Sequence, residues 1–312
     1  MRRHIVFILA ALFSLYSVHA QADYAAAQPA PSVAQKTAAP KRGMLYRVDY
    51  RGNTSYLFGT VHVGQTSFYP LEPQVTRALS EAGKLVIEVD IRDTAALQQA
   101  IMRHGIYPDG QTIAQHLSAD SMKKLQLALQ RAGIPLASIA RMKPWMAVNM
   151  LIMDEMARNG FPIEQGIELY FLALAKTQNK TVQGLETADY QLALFDSMKG
   201  AQQEEYLKEN LAELADGQAM KKGLRLIAAW QGADSKALEA ALLEIQNDPS
   251  TSARFMQRVM LDQRNPNMAK QIETLLKNDK TSFVAVGALH LLGNKGVPAL
   301  LQQRGYQVQK LY

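Results

Sequence analysis

The same short pattern occurs near both ends of the chain: a strand-like run, Gly-x-x-His, a helix-like run and a second strand-like run. The first copy reads SYLFGTVHVG and continues to KLVIEVDI, and the second reads FVAVGALHLLG and continues to YQVQKLY. Gly59 aligns with Gly287, and His62 aligns with His290. Ligand sites in open α/β sheets lie at the carboxyl ends of the strands. The pattern therefore predicts one sheet in which both histidines lie at carboxyl ends of strands.

The remaining periodicity predicts a mixed fold. Leu45–Tyr50 and 56–59 indicate a hairpin whose left-handed turn residue is Gly52 or Asn53. Amphipathic or apolar periods predict helices across the middle of the chain, at 120–132, 144–158, 167–177 and in several segments from 188 to 243. We therefore expect an α/β (α+β mixed) protein. Its central mixed sheet is built from the two strand–GxxH–helix–strand units at the chain ends, and a large helical section lies between them.

The N-terminus is typical of an exported protein. Residues 1–20 combine a basic start, a short apolar run and Val18-His19-Ala20, which predicts a secretory signal peptide cleaved near Ala20. Residues 21–43 are rich in Ala and Pro and predict a flexible leader. The leader is followed by a single domain over 44–312. These features predict a periplasmic or secreted location, with no membrane attachment after the signal peptide is removed.

Composition excludes several classes of site and partner. The chain has no cysteine, which excludes disulfides, zinc–thiolate sites, iron–sulfur clusters and thiol catalysis. Its net charge of +6 is scattered, without the clustered basic stripe of a nucleic-acid-binding surface. We therefore expect no nucleic-acid partner.

Two histidines at strand ends can share a metal ion through imidazole nitrogen, and a carboxylate completes a common hydrolytic ligand set. Glu88 is the best partner because it interrupts a strongly apolar strand, and Asp90 is a weaker one. The glycine of each motif is expected to let the chain leave the strand tightly, in a conformation that a side chain would hinder. Two alternatives stay open: both histidines could be structural, and Glu88 could face outward on an edge strand.

Three more charged residues are candidates for catalysis. Glu168 lies near the start of an apolar helix, where it could instead favour the helix dipole. Glu186 directly follows a short strand, where it could instead belong to a first helical turn. Arg264 precedes a predicted helix N-cap at Asn265, with Pro266 as the first helical residue. It could clamp a substrate carboxylate or oxyanion, or it could be a surface charge.

The segments SYLFGTVHVG, KLVIEVDI, GIELYFLALAKTQNKTVQGLET, RNPNMA and FVAVGALHLLGNKGVPALLQQRGYQV, in this order, resemble the TraB/GumN family. The resemblance implies a mixed α/β domain related to the TIKI proteins, which are metal-dependent proteases. It implies that His62 and His290 are motif histidines and that Glu88 is the motif acid. Glu168 departs from the pattern, which has Asp at this position, and this departure puts a direct catalytic role for it in doubt.

Taken together, sequence and resemblance predict an exported metal-dependent hydrolase, most consistent with a peptidase acting on a peptide or protein substrate. His62, His290 and Glu88 would hold a divalent ion such as Mn²⁺ or Co²⁺, which activates a water molecule. Glu186 or Glu168 would act as general base, and Arg264 would stabilise the developing anion. The alternatives are a non-catalytic module that sequesters peptides and a haem- or iron-binding protein that uses the same histidine pair.

Overall fold

A six-stranded mixed sheet forms the centre of the protein in the computed structural model, which describes residues 40–312. Its strands are β1 (Leu45–Tyr50), β2 (Asn53–Thr60), β3 (Lys84–Val89), β4 (Thr181–Glu186), β5 (Thr281–Gly287) and β6 (Gln307–Lys310). They lie in the order β4-β3-β5-β2-β1-β6. The strands β4, β3, β5 and β2 run parallel, so their carboxyl ends share one edge. The mixed α/β prediction is confirmed.

The hairpin of β1 and β2 forms for the predicted reason, with one difference. Arg51 and Gly52 have φ of 50° and 87°, as a two-residue turn that matches the strand twist requires. Gly52 is therefore one of the two left-handed residues, but the other is Arg51 rather than Asn53. Asn53 instead opens β2, and its amide donates to the carbonyl of Leu276 at 3.0 Å.

The two end units are less alike than their sequences suggest. Their first strands, β2 and β5, are parallel neighbours, and Thr60 pairs with Gly287. Their last strands differ, because β3 lies between β5 and β4 whereas β6 is antiparallel to β1 at the sheet edge. The prediction that both units contribute to one sheet, with both histidines at strand ends, is confirmed.

Helices cover the sheet and fill the middle of the chain. Pro73 and Pro144 are the first residues of their helices, and Gly133 ends another with φ of 68°. The helices are α1 (Pro73–Glu81), α2 (Thr94–His104), α3 (Ala119–Ala132), α4 (Leu136–Ile139), α5 (Pro144–Arg158), α6 (Ile167–Thr177), α7 (Ala188–Asp196), α8 (Gly200–Ala215), α9 (Gln218–Gln231), α10 (Ser235–Asn247), α11 (Thr251–Phe255), α12 (Asn265–Asn278) and α13 (Val297–Gln303). A π-helix, Met256–Asp262, directly follows α11.

An aromatic cluster fixes the end of β2 from which the first histidine motif emerges. Phe58 is fully buried and meets Phe171 edge-on, with ring centroids 5.4 Å apart. Trp230 is also fully buried, and its indole N–H donates to the carbonyl of Gly59 at 2.7 Å. Because buried aromatic rings pack with little freedom, this cluster holds the strand end in place.

The chain joins this core just before β1. Gly43 N–H donates to the carbonyl of Trp230 at 2.6 Å, and buried Arg42 donates to the carbonyl of Ser67 at 3.0 Å. The predicted signal peptide and the leader up to residue 39 lie outside the described residues. Within residues 40–312, no helix has the length and apolar character needed to cross a membrane.

Candidate functional site

Gly287, at the carboxyl end of β5, is the point where three candidate side chains meet. A Cβ atom at this position would lie 3.1 Å from Glu88 Oε1, 3.6 Å from His290 Cδ2 and 3.7 Å from His62 Nε2. The two motif histidines and the expected acid, from three separate segments, therefore face one small space at the carboxyl edge of the sheet.

A side chain would be hindered at both motif glycines, as expected, but not because of the backbone conformation. Neither Gly59 nor Gly287 has a positive φ. A Cβ at Gly59 would lie 3.1 Å from Ala288 Cα, because β2 and the turn after β5 approach closely there. At Gly287 the missing side chain leaves room for Glu88 and the imidazoles. Close approach rather than unusual backbone conformation therefore explains both glycines.

His290 is buried and held in one tautomer. Its Nδ1 lies 2.6 Å from Asn265 Oδ1, and Asn265 Nδ2 donates to the carbonyl of Lys295 at 2.8 Å. Because that second bond orients the amide, Oδ1 accepts a hydrogen bond from Nδ1–H, so Nε2 carries the lone pair and faces Arg264 Nη1 at 3.2 Å. Burial and the charge of Arg264 lower the pKa of His290 to about 3, so the ring is neutral at physiological pH.

Asn265 does not cap its helix, so the N-cap prediction was wrong. Arg264 occupies the N-cap position of α12, without a side-chain capping bond, and Asn265 is the first helical residue. Its side chain is used instead to orient His290.

His62, like His290, has its Nδ1 beside a fixed oxygen, here a carboxylate oxygen of Glu168. Its Nδ1 lies 2.8 Å from Glu168 Oε1, and Thr60 Oγ1 donates to the same oxygen. Burial favours the neutral ring, but Glu168 outweighs it and raises the pKa of His62 above its usual value. Both histidines therefore have Nδ1 beside a fixed acceptor; His62 Nε2 faces Gly287, and His290 Nε2 faces Arg264 and Glu88.

Glu88 is an interior residue, so the alternative of an outward-facing edge strand was wrong. It is 6% exposed and lies on β3, between β5 and β4. Oε1 accepts from Gly287 N–H at 2.5 Å, and Oε2 accepts from Arg264 Nη2 at 2.7 Å. Burial opposes ionisation, but Arg264 and the two histidines hold the pKa of Glu88 well below its usual range. Glu88 is therefore an anion.

Arg264 connects the site and is fully buried, so the surface-charge alternative was wrong. Its Nε donates to both oxygens of Glu186 at 2.9 and 3.2 Å. Nη2 donates to Glu88 Oε2 and Glu186 Oε2, each at 2.7 Å. Nη1 donates to the carbonyl of Met260 at 3.3 Å and to His290 Nε2 at 3.2 Å. All five guanidinium N–H groups therefore have acceptors.

One further side chain joins this cluster, and the weaker candidate Asp90 lies outside it. Gln191 Nε2 bridges the two carboxylates, at 3.0 Å from Glu186 and 3.3 Å from Glu88. Asp90 pairs with Arg92 at 2.6 Å outside this cluster. Sequence reasoning did not identify Thr60, Asn265 or Gln191 as site residues. Thr60 and Asn265 could have been found as polar neighbours of motif residues, whereas Gln191 carries no signal of its own.

The donors suit a divalent metal ion. Within residues 40–312 no three His, Asp or Glu side chains are already grouped as a metal site. His290 Nε2 and Glu88 Oε1 lie 3.7 Å apart, and Arg264 Nη1 is directed at the same nitrogen. The chemistry fits nevertheless, because metal-binding histidines present one nitrogen while the other donates to a fixed acceptor. Two imidazoles and one carboxylate form a common catalytic ligand set.

A cavity of about 100 Å³ opens onto these donors. His62, Glu88 and His290 are among its lining residues, and apolar side chains from α5, α9, the π-helix and the segments after β2 and β5 form most of the remainder. A substrate group in this cavity would therefore lie beside the histidine–carboxylate cluster.

The fold and this cluster define a mixed α/β protein with a histidine–carboxylate site at the carboxyl edge of its sheet. The chain belongs to the TraB/PrgY/gumN family, whose model matches residues 44–310. It is 25% identical to the uncharacterized protein YbaP of Shigella flexneri over 80% of this chain and 88% of that protein.

More distant relatives carry a functional name. The chain is 23% identical to the metalloprotease TIKI1 of Danio rerio, over 83% of this chain and 61% of that protein. It is also 23% identical to the metalloprotease TIKI homolog of Nematostella vectensis, over 82% of this chain and 64% of that protein. No solved structure matches the chain. The similarity to TIKI proteins suggests a distant link to metal-dependent hydrolases.

Proposed function

We propose that this protein is a metal-dependent hydrolase that cleaves peptide bonds and that His62, His290 and Glu88 hold its divalent ion, such as Mn²⁺ or Co²⁺. The observation that carries the proposal is the approach of both imidazole rings and Glu88 Oε1 to Gly287, with His290 Nε2 3.7 Å from Glu88 Oε1 and each Nδ1 beside a fixed acceptor. The relatives named metalloproteases support the same class of reaction. Mixed nitrogen and oxygen ligands suit both ions.

The surrounding residues orient these three groups. Glu168 fixes the His62 ring, and Asn265 fixes His290 in the tautomer whose Nε2 carries the lone pair; a metal ion bound there would replace the contact with Arg264 Nη1. A divalent ion in such a site supplies Lewis acidity and an activated water molecule. Cleavage then needs a base to accept the proton of the water and a donor for the leaving amine.

Glu168 is the stronger of the two candidate bases. Its Oε2 is buried and has no hydrogen-bond partner among the residues that the structure describes. Both oxygens of Glu186 are bound by Arg264. We therefore propose that Glu168 accepts the proton, despite its departure from the family pattern, and that Glu186 anchors the guanidinium.

Arg264 is better described as a positioning residue than as a direct oxyanion donor. Since all five N–H groups are engaged, donation to a substrate oxygen would require an existing bond to break. In its present position the guanidinium compensates the charges of Glu88 and Glu186 and faces His290. It thereby favours the ionised form of Glu88, which lines the cavity.

Turnover of a mixture of internally quenched peptides by the purified protein tests the proposal. Cleavage should require Mn²⁺ or Co²⁺, should stop with a chelator and should be lost in His62→Ala and His290→Ala. His116→Ala is the matched control, because His116 lies in an exposed position against Tyr107. Peptide binding without turnover would favour the sequestering alternative, and a Soret band would favour haem.

We also propose that the protein is exported to the periplasm or beyond. The basic start, short apolar run and Val18-His19-Ala20 support this location. N-terminal sequencing of protein from the periplasm or medium should begin near Gln21. Recovery of only the full-length chain from the cytoplasm would contradict it.

A further inference from the structure

The cavity beside the histidine–carboxylate cluster has a strongly apolar wall. Apart from its polar lining, the cavity is bounded mainly by α5, α9 and the π-helix. The apolar residues from these helices are Met153, Met156, Leu226, Ile227, Met256, Met260 and Leu261. Within residues 40–312, Glu88 is the one carboxylate that lines the cavity, and it is already bound to Arg264 and Gly287. A charged ligand group in the apolar part would therefore lack a partner, which is costly.

Four of these wall residues are methionines, and two of them come from the π-helix. Methionine side chains are flexible and polarisable, so they adapt to apolar groups of different shape. Met256, Met260 and Ile227 are buried, whereas Met153 and Leu226 are half-buried at the rim. The wall is therefore suited to a bulky, uncharged group that enters past the rim.

Gly223 limits the width of the cavity. It lies inside α9, where glycine is the weakest helix former after proline, so its presence calls for a steric reason. A Cβ at this position would lie 3.2 Å from Met156 Sδ and 3.5 Å from Met156 Cε. A larger residue would therefore press on Met156 and narrow the cavity between α5 and α9.

We propose that this cavity binds one large apolar side chain of the peptide substrate, adjacent to the cleaved bond, and that Gly223 and Met156 set the size it accepts. The inference rests on the peptidase function proposed above. It is carried by the position of the cavity, whose polar lining includes His62, Glu88 and His290, and by its apolar wall. The substrate class is thus a peptide with Leu, Met or Phe next to the scissile bond.

Matched internally quenched peptides that differ at one flanking residue provide the test. The Leu and Met peptides should exceed the Ala peptide in kcat/KM by about 10-fold or more, the scale of added apolar contacts in a pocket. The Asp peptide should be cleaved more slowly than the Ala peptide. Equal rates for the Leu and Asp peptides would overturn the inference and leave the peptidase function intact.

Two variants test the assigned residues. Gly223→Ala should lower kcat/KM for the Leu peptide about 5- to 10-fold and change the Ala peptide by less than about 2-fold. Gly200→Ala is its control, since a Cβ there meets no atom within 4 Å. Met156→Ala should shift the preference toward Phe. Met102→Ala, at a side chain that is 57% exposed, is the second control. Equal losses on all peptides would contradict a role in selecting size.

Methionine-methyl NMR separates a failure of this inference from a failure of the proposed function. N-acetyl-leucinamide should shift the methyl signals of Met156 and Met260, and N-acetyl-aspartamide should leave them unchanged. Those shifts in a protein that cleaves no peptide would support the apolar cavity and refute the hydrolase. Unchanged methyl signals with the leucine probe would refute the cavity assignment, whatever the turnover.

Discussion

Arg264→Gln removes the guanidinium that contacts Glu88 and Glu186, and the loss of stability follows from burial. Arg264 is fully buried, and the two carboxylate side chains are 7% and 5% exposed. Each ion pair at 2.7 Å is worth about 6 kcal/mol of Coulomb energy at an effective dielectric constant of about 20. Desolvation offsets much of this energy, so the pairs contribute far less in net terms.

The variant leaves both carboxylates buried without their counter-charge, which is the costly case. Glu88 keeps Gly287 N–H and the Gln191 amide, and Glu186 keeps only the Gln191 amide among its bonds to this cluster. We expect the free energy of unfolding to fall by about 3–5 kcal/mol near pH 7. That is a large part of the roughly 5–15 kcal/mol typical of a folded domain.

The effect should also depend on pH. In the wild type Arg264 holds the pKa of Glu88 below its usual value, so Glu88 contributes stability that is lost as pH falls through that lowered pKa. In the variant, burial is the largest influence and is opposed only by the two histidines and Gly287 N–H, so we expect the pKa of Glu88 to move above its usual value. The stability gap between the two proteins should therefore shrink from pH 7 toward pH 4.

Urea unfolding in the presence of a chelator, at a series of pH values, measures both effects. Arg225→Gln is the matched control, because the Arg225–Glu244 pair has side chains 57% and 44% exposed. It should change stability by no more than about 0.5–1 kcal/mol. A loss below about 1 kcal/mol for Arg264→Gln, or a gap that does not change with pH, would refute the reasoning.

Three further perturbations test individual contacts. Glu168→Gln should lower the pKa of His62, because the charge of Glu168 raises it. NMR titration of chelator-treated protein measures this pKa, and an unchanged value would contradict the pairing. Asn265→Ala should weaken Mn²⁺ binding about 10- to 100-fold in calorimetry, because His290 loses the acceptor for Nδ1–H. Unchanged affinity would contradict the role of Asn265 in orienting His290. Burial raises the pKa of Glu72 from 4.5 to about 7, so its stabilising contribution is lost as pH rises through this range. Glu72→Gln should therefore unfold at higher urea than the wild type above pH 7, and a wild-type advantage there would contradict this.

Regular elements were predictable because their signals are local. The β-rich runs around Leu45–Tyr50 and Lys84–Val89 and the helical periods of α3, α5 and α6 each lie within one short window of sequence. The repeated Gly-x-x-His motif also marked the two strands that become neighbours. The position of β5 between β2 and β3 could not be predicted from the sequence, because strand order depends on pairings between opposite ends of the chain.

The site was predictable as a set of residues, but the contacts within it were not. His62, His290 and Glu88 stand out locally, as a repeated motif and as a charge in an apolar strand. Arg264 has no such pattern, because its partners Glu88 and Glu186 lie 176 and 78 positions away. Charge pairs at such separations leave no periodic signal, so its complete burial could be found only from the fold.

The metal content of purified protein tests the central claim most directly. Wild-type protein equilibrated with Mn²⁺ or Co²⁺ and freed of excess ion should retain about one ion per chain, as a single catalytic site requires. His62→Ala and His290→Ala should each lose most of that ion, and His116→Ala should retain it. The double variant should be no worse than either single one, because ligands of one ion act as a unit. Full metal content in both His62→Ala and His290→Ala would contradict the proposed site.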